Sequence, residues 1–187
     1  MRVITGKAKG VALKTPDGML TRPTSDRVKE ALFSVIQFDI PGAVVLDLFG
    51  GTGQLGIESL SRGAKRAVFV DHQQKACDLI RENLRRTRLA DQGQVVRSDY
   101  LDYLKRSREK FNIVFLDPPY AEIFLENALK CISEIDIMES GGIIVTERPV
   151  GKELPFEYPG FSRSRDYRYG NTLITLYRRE DQQGEEE

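Results

Sequence analysis

The chain has 187 residues, enough for one domain with a real core, and its 40% hydrophobic and 30% charged content is that of an ordinary globular protein. Basic and acidic residues balance at 28 each; two cysteines, Cys77 and Cys131, exclude a disulfide scaffold, and a single histidine, His72, excludes a His-based triad or a His-cluster metal site. No apolar run reaches the length of a membrane span and the N-terminus lacks the apolar stretch of a secretion signal, so the expected compartment is the cytoplasm.

Residues 1–40 read as a basic arm with its own helix. Alternating apolar residues (Val3, Val11, Leu13) precede a turn at Pro16-Asp17-Gly18, and Thr24 or Ser25 caps a predicted helix running to Ile36 with Ala31, Leu32, Val35 and Ile36 on its apolar face. From residue 41 to 179 short apolar runs alternate with amphipathic stretches, the pattern of a parallel sheet with crossover helices. The predicted strands are Val44–Leu48, Arg66–Asp71, Gln94–Arg97, Asn112–Leu116 and Gly142–Thr146. Between them lie helices near Leu55–Arg62, over Gln73–Arg86, through Leu101 and Leu104, and across Phe124–Ile135. The end changes character: Phe161–Tyr169 and Thr172–Arg178 flank Gly170-Asn171, a hairpin signal. The expected architecture is therefore five parallel strands plus a terminal antiparallel pair. Residues 180–187 form an acidic tail expected to be disordered.

Zero net charge hides an uneven distribution. Residues 1–29 carry seven bases against Asp17 and Asp26, a net of +5, and residues 161–179 carry five arginines against Asp166, a net of +4. Two basic ends around a more acidic middle fit a polyanion footprint, and scattered solvated surface charge fits equally well.

After the first strand, Gly51-Thr52-Gly53-Gln54-Leu55-Gly56 matches G-x-G-x-x-G, and Asp71 stands twenty residues beyond Gly51. Taken literally this is the dinucleotide fingerprint. Asp47, four residues ahead of Gly51, opposes that reading, because a carboxylate there would repel a pyrophosphate. S-adenosylmethionine carries an ammonium and a sulfonium instead, which suit Asp47 directly or through water. Asp71 suits a ribose diol, and Asp99 suits the adenine amino group with Tyr100 or Leu101 against the ring. A helix N-cap is the alternative role for Asp99. Asp47, Phe49, Gly50, Gly51, Gly53, Asp71, Asp99 and Tyr100 make the candidate cofactor set, with no metal expected.

The fourth strand ends in Asp117-Pro118-Pro119-Tyr120. An exocyclic base amine is a poor nucleophile because its lone pair is delocalised into the ring. Two acceptors on its hydrogens favour the tetrahedral form, and the Asp117 carboxylate and Pro118 carbonyl supply them. Consecutive prolines fix that carbonyl in an extended geometry, and Tyr120 offers a stacking face for the base. With a sulfonium as donor, catalysis reduces to positioning and electrostatics. Asp117, Pro118, Pro119 and Tyr120 are the candidate catalytic residues.

Together these motifs resemble the amino-methyltransferases of nucleic acids, and specifically the RsmD family, over residues 1 to about 178. The arm segments Arg2-Val3-Ile4-Thr5-Gly6 and Thr21-Arg22-Pro23-Thr24-Ser25-Asp26-Arg27-Val28-Lys29-Glu30 look like that family's N-terminal signature, and Tyr169-Gly170-Asn171-Thr172 like its terminal hairpin. The resemblance implies a Rossmann-like class I methyltransferase fold, a mixed seven-stranded sheet with a terminal antiparallel hairpin plus a small N-terminal arm. It implies methylation of the N2 amine of a guanine in 16S ribosomal RNA, within a small subunit or an assembly intermediate, and release of S-adenosylhomocysteine. It also implies that Arg22, Thr24 and Arg27 lie near the cofactor and target pocket; from the residues alone they equally suit a capped, charged first helical turn. A monomer without membrane association is expected. The nearest alternative is an adenine-N6 methyltransferase of RNA or DNA, since the same four-residue motif serves either amine. A protein-glutamine methyltransferase, an NAD-linked oxidoreductase and a non-catalytic RNA-binding module fit less of the pattern. His72 is assigned no role, and the two cysteines are read as packing residues.

Overall fold

In the computed structural model, which describes residues 1–16, 26–118, 122–151, 153–155 and 157–180, the apolar runs line up as one twisted sheet. The order of elements is α1 (Asp26–Val35), β1 (Val44–Asp47), α2 (Gln54–Ser61), β2 (Arg66–Asp71), α3 (Gln74–Arg86), β3 (Gly93–Arg97), α4 (Tyr100–Arg106), β4 (Phe111–Leu116), α5 (Glu122–Glu134), β5 (Met138–Pro149), β6 (Glu157–Tyr158), β7 (Phe161–Tyr169) and β8 (Thr172–Arg179). The strands run β3-β2-β1-β4-β5-β8-β7-β6 across the sheet; the first five are parallel and the last three antiparallel. The expected seven-stranded mixed sheet is thus present, and the two-residue β6 adds a short edge. Chain order reverses direction between β1 and β4, the switch point outside which open α/β sheets bind their ligands.

The inner parallel strands β1, β2 and β4 and the Ile143–Thr146 run of β5 are buried on both faces, as their apolar sequences require, while the edge strand β3 is only partly covered. On one face Val45, Phe69, Ile113, Phe115, Ile143 and Val145 pack with Leu32, Phe33 and Ile36 of the α1 segment, Leu55 and Leu60 of α2, and Ile80 and Leu84 of α3. On the other, Leu46, Val68, Val114, Leu116 and Ile144 pack with Leu104 of α4 and Leu125, Leu129 and Ile132 of α5. A fully buried side chain such as Phe33 or Ile36 stabilises the fold by about 1.5–3 kcal/mol. Cys77 and Cys131 are buried, unpaired thiols on α3 and α5.

The arm is joined to this core. Val3, Ala8 and Leu13 belong to the same apolar cluster as α1 and the sheet. The fully buried Glu58 of α2 accepts hydrogen bonds from the backbone N–H of Ile4 (2.8 Å) and Thr5 (3.0 Å) and from Arg62 Nε (2.8 Å). Lys29 of α1, also fully buried, places Nζ 3.7 Å from Glu58 and donates to the Arg2 carbonyl at 2.6 Å. Burial pushes the Lys29 ammonium below its ordinary range, while Glu58 pulls it back. Removing Glu58 strands the Lys29 charge in the interior, which typically costs about 3–5 kcal/mol, whereas without Lys29 the Glu58 carboxylate keeps Arg62. Gly6 has φ +88° and sits where a Cβ would fall 1.8 Å from the Ser61 carbonyl oxygen, so the arm's turn admits only glycine. Among the described residues no helix is long and apolar enough to cross a membrane.

Candidate active site

The predicted cofactor loop joins β1 to α2. Gly50 N donates to Val70 O (2.8 Å) and Gly53 N to Gly50 O (2.6 Å), which bends the chain sharply over the end of the sheet. Gly51 and Gly53 hold φ of +54° and +78°, a region that penalises side chains. Gly56 is required for another reason: a Cβ there would lie 2.3 Å from the Phe69 ring, so this glycine lets α2 press against β2. Asn83 of α3 locks the loop to the arm, its Nδ2 donating to the carbonyls of Thr52 (2.9 Å) and Lys14 (3.1 Å) and its Oδ1 accepting from Lys14 N (2.8 Å).

The acidic residues expected at the strand ends are brought to this loop in different ways. Asp71, at the end of β2, accepts from Gly51 N through Oδ2 (3.0 Å) and from Gln73 N through Oδ1 (2.8 Å). It therefore shapes the loop besides facing it. Asp47, at the end of β1, is only 3% exposed, and its Oδ2 accepts from Gly56 N at 3.2 Å. Burial raises this carboxyl from its ordinary 3.8 to about 7, with the Gly56 hydrogen bond opposing the rise and Asp71 adding to it. Asp99 follows β3 and caps α4, Oδ1 accepting from Leu101 N (2.8 Å) and Asp102 N (3.3 Å). Tyr100, next in the chain, is mostly buried between Phe49 (ring centroids 5.2 Å apart) and Phe124 of α5 (5.6 Å, edge-to-face). This three-ring run connects the β1 loop to the start of α5, where Ile123 and Phe124 are exposed.

Asp117 and Pro118 follow β4 directly and are half-buried. The register sets Asp47 opposite Phe115, so Asp117 stands one pleat further out on the neighbouring strand, in the same phase. Its carboxyl is pushed well above the ordinary aspartate range by burial first, then by Glu147 of β5 and by Asp47. Glu147 was not among the residues the sequence singled out. It stands just beyond the apolar run of β5, and the only signal for it was an acid following buried strand residues. Pro119 and Tyr120 lie outside the described residues, as do Arg22, Thr24, Ser25, the turn residues Asp17 and Gly18, and residues 181–187. Arg27 is exposed on the first turn of α1. His72 is largely exposed, its Nδ1 3.7 Å from Asp71. Among the described residues no three His, Cys, Asp or Glu side chains are grouped so as to hold a metal ion.

The arrangement gathers Asp47, Asp71 and Asp117 around the glycine loop at the carboxyl ends of β1, β2 and β4. Residues 1–178 match the family model described as Conserved hypothetical protein 95. Relatives include YlbH of Bacillus subtilis, provisionally named an rRNA methyltransferase, 40% identical over 182 residues that make up 96% of this chain and 99% of that protein. Ribosomal RNA small subunit methyltransferase D of Escherichia coli K12 is 34% identical over 182 residues, covering 97% of this chain and 91% of that one. The chain belongs to the RsmD family. The solved structures agree. An Escherichia coli protein provisionally titled a methyltransferase, yhhF, superposes with a TM-score of 0.87 at 32% identity, over 97% of this chain and 99% of that one. A Thermus thermophilus protein titled hypothetical gives 0.81 at 33% identity, over 94% and 98%. Membership and fold together make the chain a class I methyltransferase.

Proposed function

We propose that the chain transfers a methyl group from S-adenosylmethionine to the N2 amine of a guanine in small-subunit (16S) ribosomal RNA. The observation that carries the cofactor is Asp47: a buried carboxyl held at about 7, with one backbone N–H within reach, is a site short of positive charge. An ammonium beside it restores the ionised form, whereas a pyrophosphate would add repulsion. Asp47 and the glycine loop would hold the amino-acid end, Asp71 the ribose hydroxyls, and the Phe49–Tyr100 edge with Asp99 the adenine. When bound, the cofactor supplies a methyl group already activated by its sulfonium.

Asp117 then does the protein's share of the chemistry. Its carboxylate and the Pro118 carbonyl accept from the two amine hydrogens and aim the nitrogen lone pair at the methyl carbon. Transfer of the methyl group to the amine would leave S-adenosylhomocysteine and a surplus N–H proton, which Asp117 would accept. Burial, Glu147 and Asp47 all raise the proton affinity of Asp117. A cation bound nearby would oppose that rise and favour the carboxylate form.

The names of the relatives support ribosomal RNA as the substrate, and the bases of the N-terminal arm, with the exposed Arg168 beside the hairpin tip, support a polyanion as partner. The hairpin tip Gly170-Asn171 lies at the same end of the sheet as the site, since Pro149 of β5 pairs with Thr172. Two measurements test the reading. Calorimetry should show binding of S-adenosylmethionine and not NAD. Small subunits from cells lacking the enzyme should take up about one labelled methyl each if recognition is specific. Tight NAD binding, or no uptake by any small-subunit particle, overturns it.

A further inference from the structure

Phe115 pairs with Val145 and Leu116 with Thr146, so the next residues along the two parallel strands, Asp117 and Glu147, stand level with each other. Neighbouring strands lie about 4.8 Å apart, and side chains alternate between faces. Phe115 and Val145 pack on the face covered by the α1 to α3 layer, and Asp117 and Glu147 repeat their phase. The two carboxylates therefore project from the same face, at the same height. Glu147 is also held in place from its other side. While β4 ends at Leu116, β5 continues to Pro149 against β8, with Glu147 paired to Ile174. The electrostatic influence of Glu147 on Asp117 agrees independently with their proximity.

We infer that Glu147 selects guanine, accepting the N1–H of the target base while Asp117 accepts from the adjacent exocyclic amine. The inference rests on the guanine-N2 reading above. Its chemistry is that of the base edge. Guanine presents a ring N–H next to its amine, two neighbouring donors that two level carboxylates can accept. Adenine and cytosine present an amine next to an unprotonated ring nitrogen. Directed at Glu147, that lone pair meets a second acceptor, and the site loses a hydrogen bond and gains a repulsion. A single carboxylate after β4 cannot make this distinction, because every amino base offers it the same N–H. The second carboxylate, on the next strand, can. Sites built around a specific hydrogen bond reject analogues lacking it far more strongly than apolar pockets reject a missing methylene.

The test compares Glu147→Gln and Glu147→Ala with the wild type. The substrate is small subunits reconstituted with RNA carrying guanosine or 2-aminopurine at the position the wild type methylates. 2-Aminopurine keeps the amine and lacks the N1 hydrogen. The wild type should favour guanosine over 2-aminopurine by roughly 100-fold or more in kcat/KM. Glu147→Gln should stay within about tenfold of wild type on guanosine, because its amide oxygen still accepts, and gain about tenfold or more on 2-aminopurine, because its NH2 donates to the bare N1. Glu147→Ala should lose roughly 100-fold on guanosine while binding S-adenosylmethionine normally. A purely structural role would lower both substrates equally and would not be rescued by glutamine. If the wild type makes N2-methylguanosine and both variants keep its preference for guanosine over 2-aminopurine, the inference falls alone. N6-methyladenosine from the wild type overturns the inference and the guanine reading together.

Discussion

Replacing Asp47 with asparagine removes a charge while keeping the shape, and the surroundings of this residue predict two opposite effects. Asp47 is almost fully buried, and its carboxyl rises from 3.8 to about 7. A raised carboxyl pKa means that the folded state prefers the protonated form. Without cofactor, the cost of Asp47 is therefore absent below about pH 4, grows as pH rises towards 7, and is complete above it. A shift of about three units, at about 1.4 kcal/mol each, puts that cost near 4 kcal/mol as an upper figure. An asparagine side chain does not ionise, and Gly56 N–H can still donate to its amide oxygen. Asp47→Asn should therefore unfold at higher denaturant than wild type at about pH 8 and at similar denaturant below about pH 4. Cofactor binding should move the other way. The wild type should bind S-adenosylmethionine more tightly as pH rises through 7, releasing a proton, while the variant binds about 1.5–3 kcal/mol more weakly with a flat profile from this group. Chemical unfolding and calorimetry at the two pH values check both halves. A variant less stable than wild type at pH 8, or one binding the cofactor with wild-type affinity, refutes the assignment of Asp47 to the cationic end.

Other residues lead to separable outcomes. Asp117→Ala should leave cofactor affinity nearly intact and remove most of the methyl-transfer rate, whereas Asp117→Asn keeps part of it because one carbonyl still accepts; single-turnover rates beside calorimetry check this, and near wild-type turnover in the alanine variant removes Asp117 from the mechanism. Asp71→Ala should weaken cofactor binding and also lower stability by about 1–3 kcal/mol, since Gly51 N and Gln73 N lose their acceptor, measurable by unfolding of the cofactor-free protein. Gly56→Ala forces a Cβ to within 2.3 Å of the Phe69 ring and should cost about 1–3 kcal/mol of stability; an unchanged unfolding midpoint would contradict the close packing of α2 on β2. Charge reversal at the exposed Arg27 should impair RNA methylation more than stability, with turnover falling steeply as salt is added.

The centre of the sheet was legible because β1, β2, β4 and the middle of β5 are buried on both faces and so read as uninterrupted apolar runs. The exceptions are physical. β5 begins at Met138, four residues before the predicted start at Gly142, because the polar stretch Glu139-Ser140-Gly141 reads as a turn, with Gly141 at φ +67°. The register between β4 and β5 slips just there, between Phe111 and Ile113. β6 is two residues long and carries no periodicity to detect. In the site, Asp47 and Asp117 could be found because each stands at a strand end beside a glycine or proline motif, and Asp71 because it ends the next strand twenty residues beyond Gly51. Glu147 lies within β5 without such a motif and gains meaning only from the register that sets it beside Asp117. The ties that fasten the arm were illegible for a different reason. Glu58 with Ile4 and Asn83 with Lys14 join residues more than fifty positions apart, and each looked like an ordinary polar residue on a helix. For Asp99 the sequence left two roles open, and the structure shows one of them, the cap of α4.

The identity of the methylated nucleoside tests the central claim most directly. Small subunits from cells lacking the enzyme, methylated by the purified protein with labelled S-adenosylmethionine and digested to nucleosides, should yield N2-methylguanosine as the labelled product. The Asp117→Ala variant should yield almost none. Label in N6-methyladenosine, or label confined to protein, would contradict the account.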